Sequence, residues 1–262
     1  MESTDAVTYE RDGDVGVITM RRPDNRNSMT SELLDAFAAA SAQAREDRQA
    51  RCVIVTGTGR CFSAGADFKS QIQRDGEGRR PHERSLAMYE PFLSVLDIEV
   101  PVIAALNGHA IGGGFGLALV CDIRIAATEA KFGANFARLG LSPGMAISYL
   151  LPRLVGASRA CELLYTGRLL TGDEAEQIGL ASRSVPAADV FDTALGMARE
   201  IAGNAPVAVR MTKQLLRDGL GWEARRAARR EAFAQADSVA TDDAREGIAA
   251  LLEKREPTFR GT

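Results

Sequence analysis

Short apolar runs separated by polar breaks open the chain. Val7 to Glu10 and Val15 to Met20 are β-rich and flank Asp12-Gly13-Asp14, the pattern of a hairpin. Arg22-Pro23 ends the second run, since proline lacks a backbone donor and restricts the residue before it. Thr30 or Ser31 then offers an N-cap for a helix on which Leu33, Phe37, Ala40 and Ala44 recur at helical spacing. Arg51 to Thr56 reads as a buried strand closed by Gly57-Thr58-Gly59, and after a polar stretch from Gln71 to Arg84 a helix is predicted near Ser85 to Leu96. Pro101 to Leu106 is another buried strand. A glycine-rich turn follows, then a helix near Gly113 to Val120 and a strand at Ile123 to Ala127.

Strands alternating with helices predict an α/β core with a largely buried sheet. Beyond Gly144 helical periodicity takes over, interrupted by one short apolar run near Ala181 to Val185, and Pro206 separates two late helices. The expected organisation is a core over residues 1–190 and a helical C-terminal region over 191–262, with no Ser- or Pro-rich linker between them. No repeat is visible from periodicity alone.

At 262 residues and 45% hydrophobic, the chain can fill a substantial core, which argues against disorder and against a small disulfide-stapled scaffold. With 32 basic and 35 acidic side chains the net charge is -3, so no bulk attraction to nucleic acid or an anionic membrane is expected. Lys69, Lys131, Lys213 and Lys254 are the only lysines; the preponderance of arginine, with abundant alanine, fits a base-composition bias better than phosphate recognition. The longest apolar stretch, Ala110 to Cys121, contains four glycines and is shorter than the ~18 residues of a membrane span. The polar start MESTDAVTYE does not resemble a signal peptide, and a cytoplasmic protein is expected. Cys52, Cys61, Cys121 and Cys161 form no CxxC pair and the only histidines are His82 and His109, so neither a metal site nor a disulfide framework is expected.

Two small-residue segments carry candidate chemistry. They are Cys61-Phe62-Ser63-Ala64-Gly65-Ala66-Asp67-Phe68 and Asn107-Gly108-His109-Ala110-Ile111-Gly112-Gly113-Gly114-Phe115-Gly116. Neither has the spacing of a dinucleotide fingerprint or a P-loop. A loop such as Ala64-Gly65-Ala66 lets a ligand approach the backbone, and glycines opening a helix expose N–H groups at its positive end. Together they could hold a developing oxyanion; the alternative is that the glycines only allow tight helix–sheet packing.

These segments, in this order, resemble the crotonase family, the enoyl-CoA hydratase/isomerase superfamily. The similarity extends to Arg22-Pro23-Asp24-Asn25-Arg26-Asn27-Ser28, Cys121-Asp122-Ile123, Leu139-Gly140-Leu141-Ser142-Pro143-Gly144, Leu151-Pro152-Arg153 and Thr166-Gly167-Arg168, so nearly the whole chain is covered. The resemblance implies an α/β fold, a spiral of ββα units with C-terminal helices that pack on the core and on neighbours in a homotrimer or hexamer. It also implies a coenzyme A thioester as the ligand, with no further cofactor, and an acyl-CoA in metabolism of the fatty-acid type. The thioester carbonyl would be held by the backbone N–H groups of Ala66 and Gly113. Arg26 and Ser28 would border the pantetheine and nucleotide, and Ala64, Asp67 and Phe68 the adenine side, while Asp67 on its own reads as a turn residue.

The resemblance also implies two glutamates for a hydratase, and this chain lacks them. Their positions map onto Gly116 and Phe136, and a third acidic position of the superfamily maps onto Gly144. With Leu139 and Pro143, these residues are expected to form the acyl wall, with residue 116 one helical turn beyond Gly113 and facing the same cavity. Glutamates placed at 116 and 136 together would then restore hydration. The expected activity is an acyl-CoA lyase, isomerase or hydrolase other than the usual hydratase; the alternatives are a non-catalytic acyl-CoA-binding protein and a weak hydratase. The polar groups that could substitute for the missing acids are His82, Glu83, Tyr89, Glu90, His109, Asn135, Ser142 and Tyr149. Arg225, Arg226, Arg229 and Arg230 form like-charge pairs that need acids or a partner to offset them. Phe259 and Arg260 resemble terminal family residues that reach a neighbour's nucleotide.

Overall fold

A computed structural model describes residues 6–67 and 80–262. Strand β1 (Val7–Asp12) turns at Gly13 into β2 (Val15–Met20), and the two pair antiparallel from Val7↔Met20 to Asp12↔Val15. Helix α1 (Ser31–Glu46) starts where the Thr30 side chain accepts the Leu33 N–H, and leads to β3 (Cys52–Gly57) and β4 (Cys61–Ser63). Helix α2 (Pro81–Leu93) begins earlier than the apolar pattern predicts. Pro81 suits the first helical turn, where its missing N–H costs nothing, and the Glu83 carboxylate accepts the Arg80 N–H. A 3₁₀ turn, Ser94–Asp97, follows it.

The chain continues through β5 (Val102–Leu106), β6 (His109–Ile111), α3 (Gly113–Val120), β7 (Ile123–Ala127) and β8 (Phe132–Gly133). The order β1-β2-β3-β5-β7 is completed by β9 (Arg183–Val185) to give a six-stranded sheet that is parallel from β2 onward. Strands β4, β6 and β8 form a second, parallel three-stranded sheet. Each long strand of the β3, β5, β7 series is thus followed by a short one in the second sheet. Runs of two or three residues are too brief to show alternation, which is why this repeat is not visible in the sequence.

Helices α4 (Ile147–Val155), α5 (Ala157–Thr166) and α6 (Gly172–Gln177) precede β9; α7 (Val190–Ala202), α8 (Pro206–Leu216), α9 (Leu220–Val239) and α10 (Asp242–Glu253) follow it. Helix α7 packs on β3, β5 and β7 through Val190, Ala194, Ala198 and Ala202, whose small side chains recur every fourth residue and allow close approach to the sheet. Helix α1 is joined to α2 by an edge-to-face pair, Phe37 on Phe92, at 4.8 Å between ring centroids. Helix α9 packs along α2 and α4, and α10 on the turn after β8. These contacts bring the last helices over the glycine-rich segments. Among the described residues no helix is long and apolar enough to cross a membrane.

Candidate active site

A cavity of about 480 Å³ lies where the 64–67 loop, the start of α3, α2, the 3₁₀ turn Phe136–Leu139 and helices α9 and α10 converge. Of the residues expected from sequence, Arg26, Ser28, Ala64, Ala66 and Asp67 line it from one chain segment pair, and Gly113, Phe136 and Leu139 from the others. Phe68 falls outside the described residues. A second cavity, about 550 Å³ and bordered by α4, α7 and α8, contains none of these residues.

The site rests on a small hydrogen-bond frame. Asn27 is fully buried with φ +51, a left-handed conformation that asparagine tolerates better than most residues. Its amide nitrogen donates to the carbonyls of Thr58 (3.1 Å) and Cys61 (2.8 Å), and its Oδ1 accepts the Arg22 N–H at 2.8 Å. The Ser63 hydroxyl donates to the Asn27 carbonyl, Ala64 N–H to the Arg26 carbonyl and Met29 N–H to the Gly65 carbonyl. The loop 64–67 is therefore tied to 26–29 on one side. On the other it abuts α3, because a Cβ on Gly65 would lie 3.2 Å from the Gly113 nitrogen. Gly65 has φ +78, and Gly112 has φ +54 with ψ -116, a combination open only to glycine. Gly112 delivers α3 with its first amide, Gly113, next to the loop. Among the described residues no protein acceptor takes the N–H of Ala66 or Gly113. Ser28 commits its hydroxyl to the Asn25 carbonyl at 2.6 Å, so it borders the cavity without a free donor.

The acid positions depart from the sequence expectation in a specific way. Gly116 is buried and does not line the cavity, because Met145 stands against it: a Cβ on Gly116 would collide with Met145 Cβ and come within 3.1 Å of its Cγ. Gly144 does not line it either. A Cβ there would collide with the Tyr89 hydroxyl and lie 2.6 Å from Tyr89 Cζ. Pro143, in the same loop, is also outside the wall. Phe136 is in the wall as expected, with its ring 3.7 Å from a Cβ built on Gly112. Met145 and Ala146 both adopt left-handed backbone, φ +64 and +60, and are held there by Glu231 of α9. Its carboxylate accepts Ala146 N–H (2.6 Å), Ser148 N–H (2.7 Å) and the Ser148 hydroxyl (2.5 Å) at the start of α4. Burial pushes the Glu231 carboxyl above the usual carboxylate range despite these bonds.

Most of the proposed replacement groups are engaged elsewhere. His82 stacks on Phe233 at 4.0 Å, Glu83 caps α2, Glu90 pairs with Arg225 at 3.2 Å, and His109 Nδ1 accepts the Lys131 N–H at 2.9 Å. The Ser142 hydroxyl accepts from the Ser238 hydroxyl at 3.4 Å, and Tyr149 lies under the Arg153 guanidinium. Asn135 and Tyr89 do line the cavity. The Tyr89 hydroxyl bonds Gln235, and burial raises its phenol well above the ordinary range, so it stays protonated. Asp67 is the only carboxylate in the described wall. Arg225 bridges Glu90 and Asp97, so its counter-charges come from α2 and the 3₁₀ turn after it. Phe259 and Arg260 are exposed beside the start of α10, where Arg260 N–H donates to Asp243, and do not enter this cavity.

Sequence reasoning missed Met29, Met88, Leu141, Met145 and, from the last helices, Gln235, Val239, Leu251, Leu252 and Lys254. Met29 and Met145 adjoin expected positions and could have been found by proximity. Residues from α9 and α10 enter through tertiary packing and carry no local signal.

Short strands that follow long ones in a second sheet, with a glycine-led helix beside a small-residue loop, define a crotonase-type fold. The chain matches the family model described as Enoyl-CoA hydratase/isomerase over residues 10–262. A probable enoyl-CoA hydratase of Mycobacterium bovis is 38% identical, covering 94% of this chain and 89% of the relative. A short-chain-enoyl-CoA hydratase of Clostridium acetobutylicum is 35% identical, covering 95% of each. The crystal structure of a carnitinyl-CoA hydratase from Mycobacterium avium superposes with a TM-score of 0.87 at 32% identity, covering 99% of this chain and 100% of the other. An enoyl-CoA hydratase/isomerase from Pseudoalteromonas atlantica gives a TM-score of 0.86 at 31% identity, covering 97% and 100%. The protein belongs to the enoyl-CoA hydratase/isomerase family.

Proposed function

We propose that this family member binds an acyl-CoA thioester in the 480 Å³ cavity, with the thioester oxygen on the N–H groups of Ala66 and Gly113, and that it is an acyl-CoA enzyme other than the two-glutamate hydratase. One observation carries the second half: Met145 fills the flank of Gly116, so at the acid position on α3 the wall offers a thioether in place of a carboxylate. Two backbone donors aimed at an enolate oxygen stabilise it by several kcal/mol, about 3 for a single donor. Hydration needs more than this, namely a base for water and an acid for carbon, each worth roughly 10²–10⁴ in rate. The free amides, the cavity's size and the largely apolar wall support acyl-thioester binding. The protein would work as a homotrimer or hexamer assembled through its C-terminal helices.

The test pairs binding with turnover. Calorimetry should detect acyl-CoA binding in the wild type and none in Ala66→Trp, while hydration of crotonyl-CoA should fall well below the usual enzyme range of roughly 1–10³ s⁻¹. Hydration within that range would overturn the non-hydratase reading. Undiminished binding in a folded Ala66→Trp variant would overturn the placement of the thioester.

A further inference from the structure

The part of the cavity wall built by α2, the 141–146 loop and helices α9 and α10 is largely apolar, with Met88, Leu141, Met145, Val239 and Leu251 on it. A connected polar group interrupts it. The Tyr89 hydroxyl donates to Gln235 Oε1, and Ser85, one helical turn before Tyr89, lines the same stretch of wall. Gln235 does not rotate freely, because its Nε2 donates to the Ser142 carbonyl at 3.3 Å and so turns Oε1 toward Tyr89. That fixes polarity: the phenol O–H is committed as a donor to Gln235, and what its oxygen offers the cavity is acceptor capacity. The hydroxyl also stands beside Gly144, in space that any side chain at 144 would need.

We propose that Tyr89, oriented by Gln235, is a specificity-determining residue that accepts a hydrogen bond from a hydroxyl carried on the acyl chain of the bound thioester. This rests on the acyl-CoA reading of the cavity. A saturated chain leaves the polar group without a ligand partner. An oxo chain brings an acceptor against an acceptor. A hydroxyacyl chain supplies the missing donor, and a site built around such a bond discriminates against ligands that cannot make it. Burial keeps the phenol protonated, so the pattern holds throughout the neutral pH range.

The experiment measures calorimetric affinities of butyryl-, 3-hydroxybutyryl-, 4-hydroxybutyryl- and acetoacetyl-CoA for the wild type, Tyr89→Phe and Gln235→Leu. At least one hydroxy thioester should bind the wild type about 3- to 10-fold more tightly than butyryl-CoA. Tyr89→Phe should bring that ratio near one and leave butyryl-CoA affinity in place. Gln235→Leu, which frees the phenol to donate, should instead raise the affinity for acetoacetyl-CoA relative to butyryl-CoA, a reversal that loss of packing would not produce. Butyryl-CoA bound normally, with a hydroxy preference absent from the wild type or unchanged in Tyr89→Phe, would overturn this proposal alone. Failure of all four thioesters to bind the wild type would overturn the acyl-CoA reading as well.

Discussion

At position 116 the missing side chain and its neighbour form one unit. The volume that a glutamate would need is occupied by Met145, so Gly116→Glu meets a packed methionine in a fully buried helix. Overpacking of this kind costs about 1–3 kcal/mol, and a carboxylate without partners adds to it. Gly116→Glu, alone or with Phe136→Glu, should therefore lower the urea unfolding midpoint and leave crotonyl-CoA hydration undetected, contrary to what residue spacing alone suggests. Adding Met145→Gly should recover part of the lost stability, because it removes the collision and relaxes a left-handed non-glycine residue while the carboxylate stays without partners. The sequence shows which residues are small at 64–66 and 112–116. It does not show that 116 is small because another residue has filled its space, since that relation links positions almost thirty residues apart. Asn27 illustrates the same limit: its three hydrogen bonds organise the loop, yet in sequence it is one polar residue among several.

Elements with a strong local signal were legible. The Thr30 cap, the apolar stripe of α1 and the buried strands at 52–57, 102–106 and 123–127 follow from pattern and propensity. The second sheet and the true start of α2 did not, because they depend on pairing across the chain and on proline at the first helical turn. The start of α4 is another such case. It has no N-cap side chain of its own, and Glu231 supplies the acceptors from α9. Burial raises the Glu231 carboxyl in the folded protein above its unfolded value, so the folded state binds the proton more tightly. Its contribution then becomes more favourable as pH falls from neutral through the folded-state pKa toward the ordinary value of about 4.3. The stability of wild type relative to Glu231→Gln should accordingly grow as pH falls from neutral toward the ordinary carboxylate value, as read from urea midpoints at each pH. A flat or opposite difference would show that the three hydrogen bonds outweigh burial.

On the scale of the whole molecule, α8 carries Val207, Met211 and Leu215 at four-residue spacing, 61%, 46% and 81% exposed, an apolar stripe without cover in the isolated chain. The helix is nevertheless fastened to the core: Asp122 takes Lys213 Nζ at 2.9 Å and Arg217 Nε at 2.7 Å while accepting the Val102 N–H. A firmly held helix with an open apolar face is suited to bury that face against another copy of the chain. Leu215→Arg should yield a monomer in light scattering with the unfolding midpoint of the separated subunit little changed, since the side chain is exposed. An unaltered assembly mass would place the subunit contact elsewhere. The family and the general α/β architecture could be read from the sequence because glycine and small-residue motifs are local. Which helices close the cavity could not, because α9 and α10 reach it only through packing on α2, α4 and the turn after β8.

The pairing of Gly116 with Met145 also couples change at the two positions. A carboxylate acquired first at 116 would collide with the methionine, and a small residue acquired first at 145 would leave a buried cavity costing about 2–5 kcal/mol until a change at 116 fills it. The two substitutions are epistatic: each is costly alone, and each relieves part of the cost of the other. Any descent toward or away from an acid at this position is thus gated by a methionine that never has to touch the reacting bond.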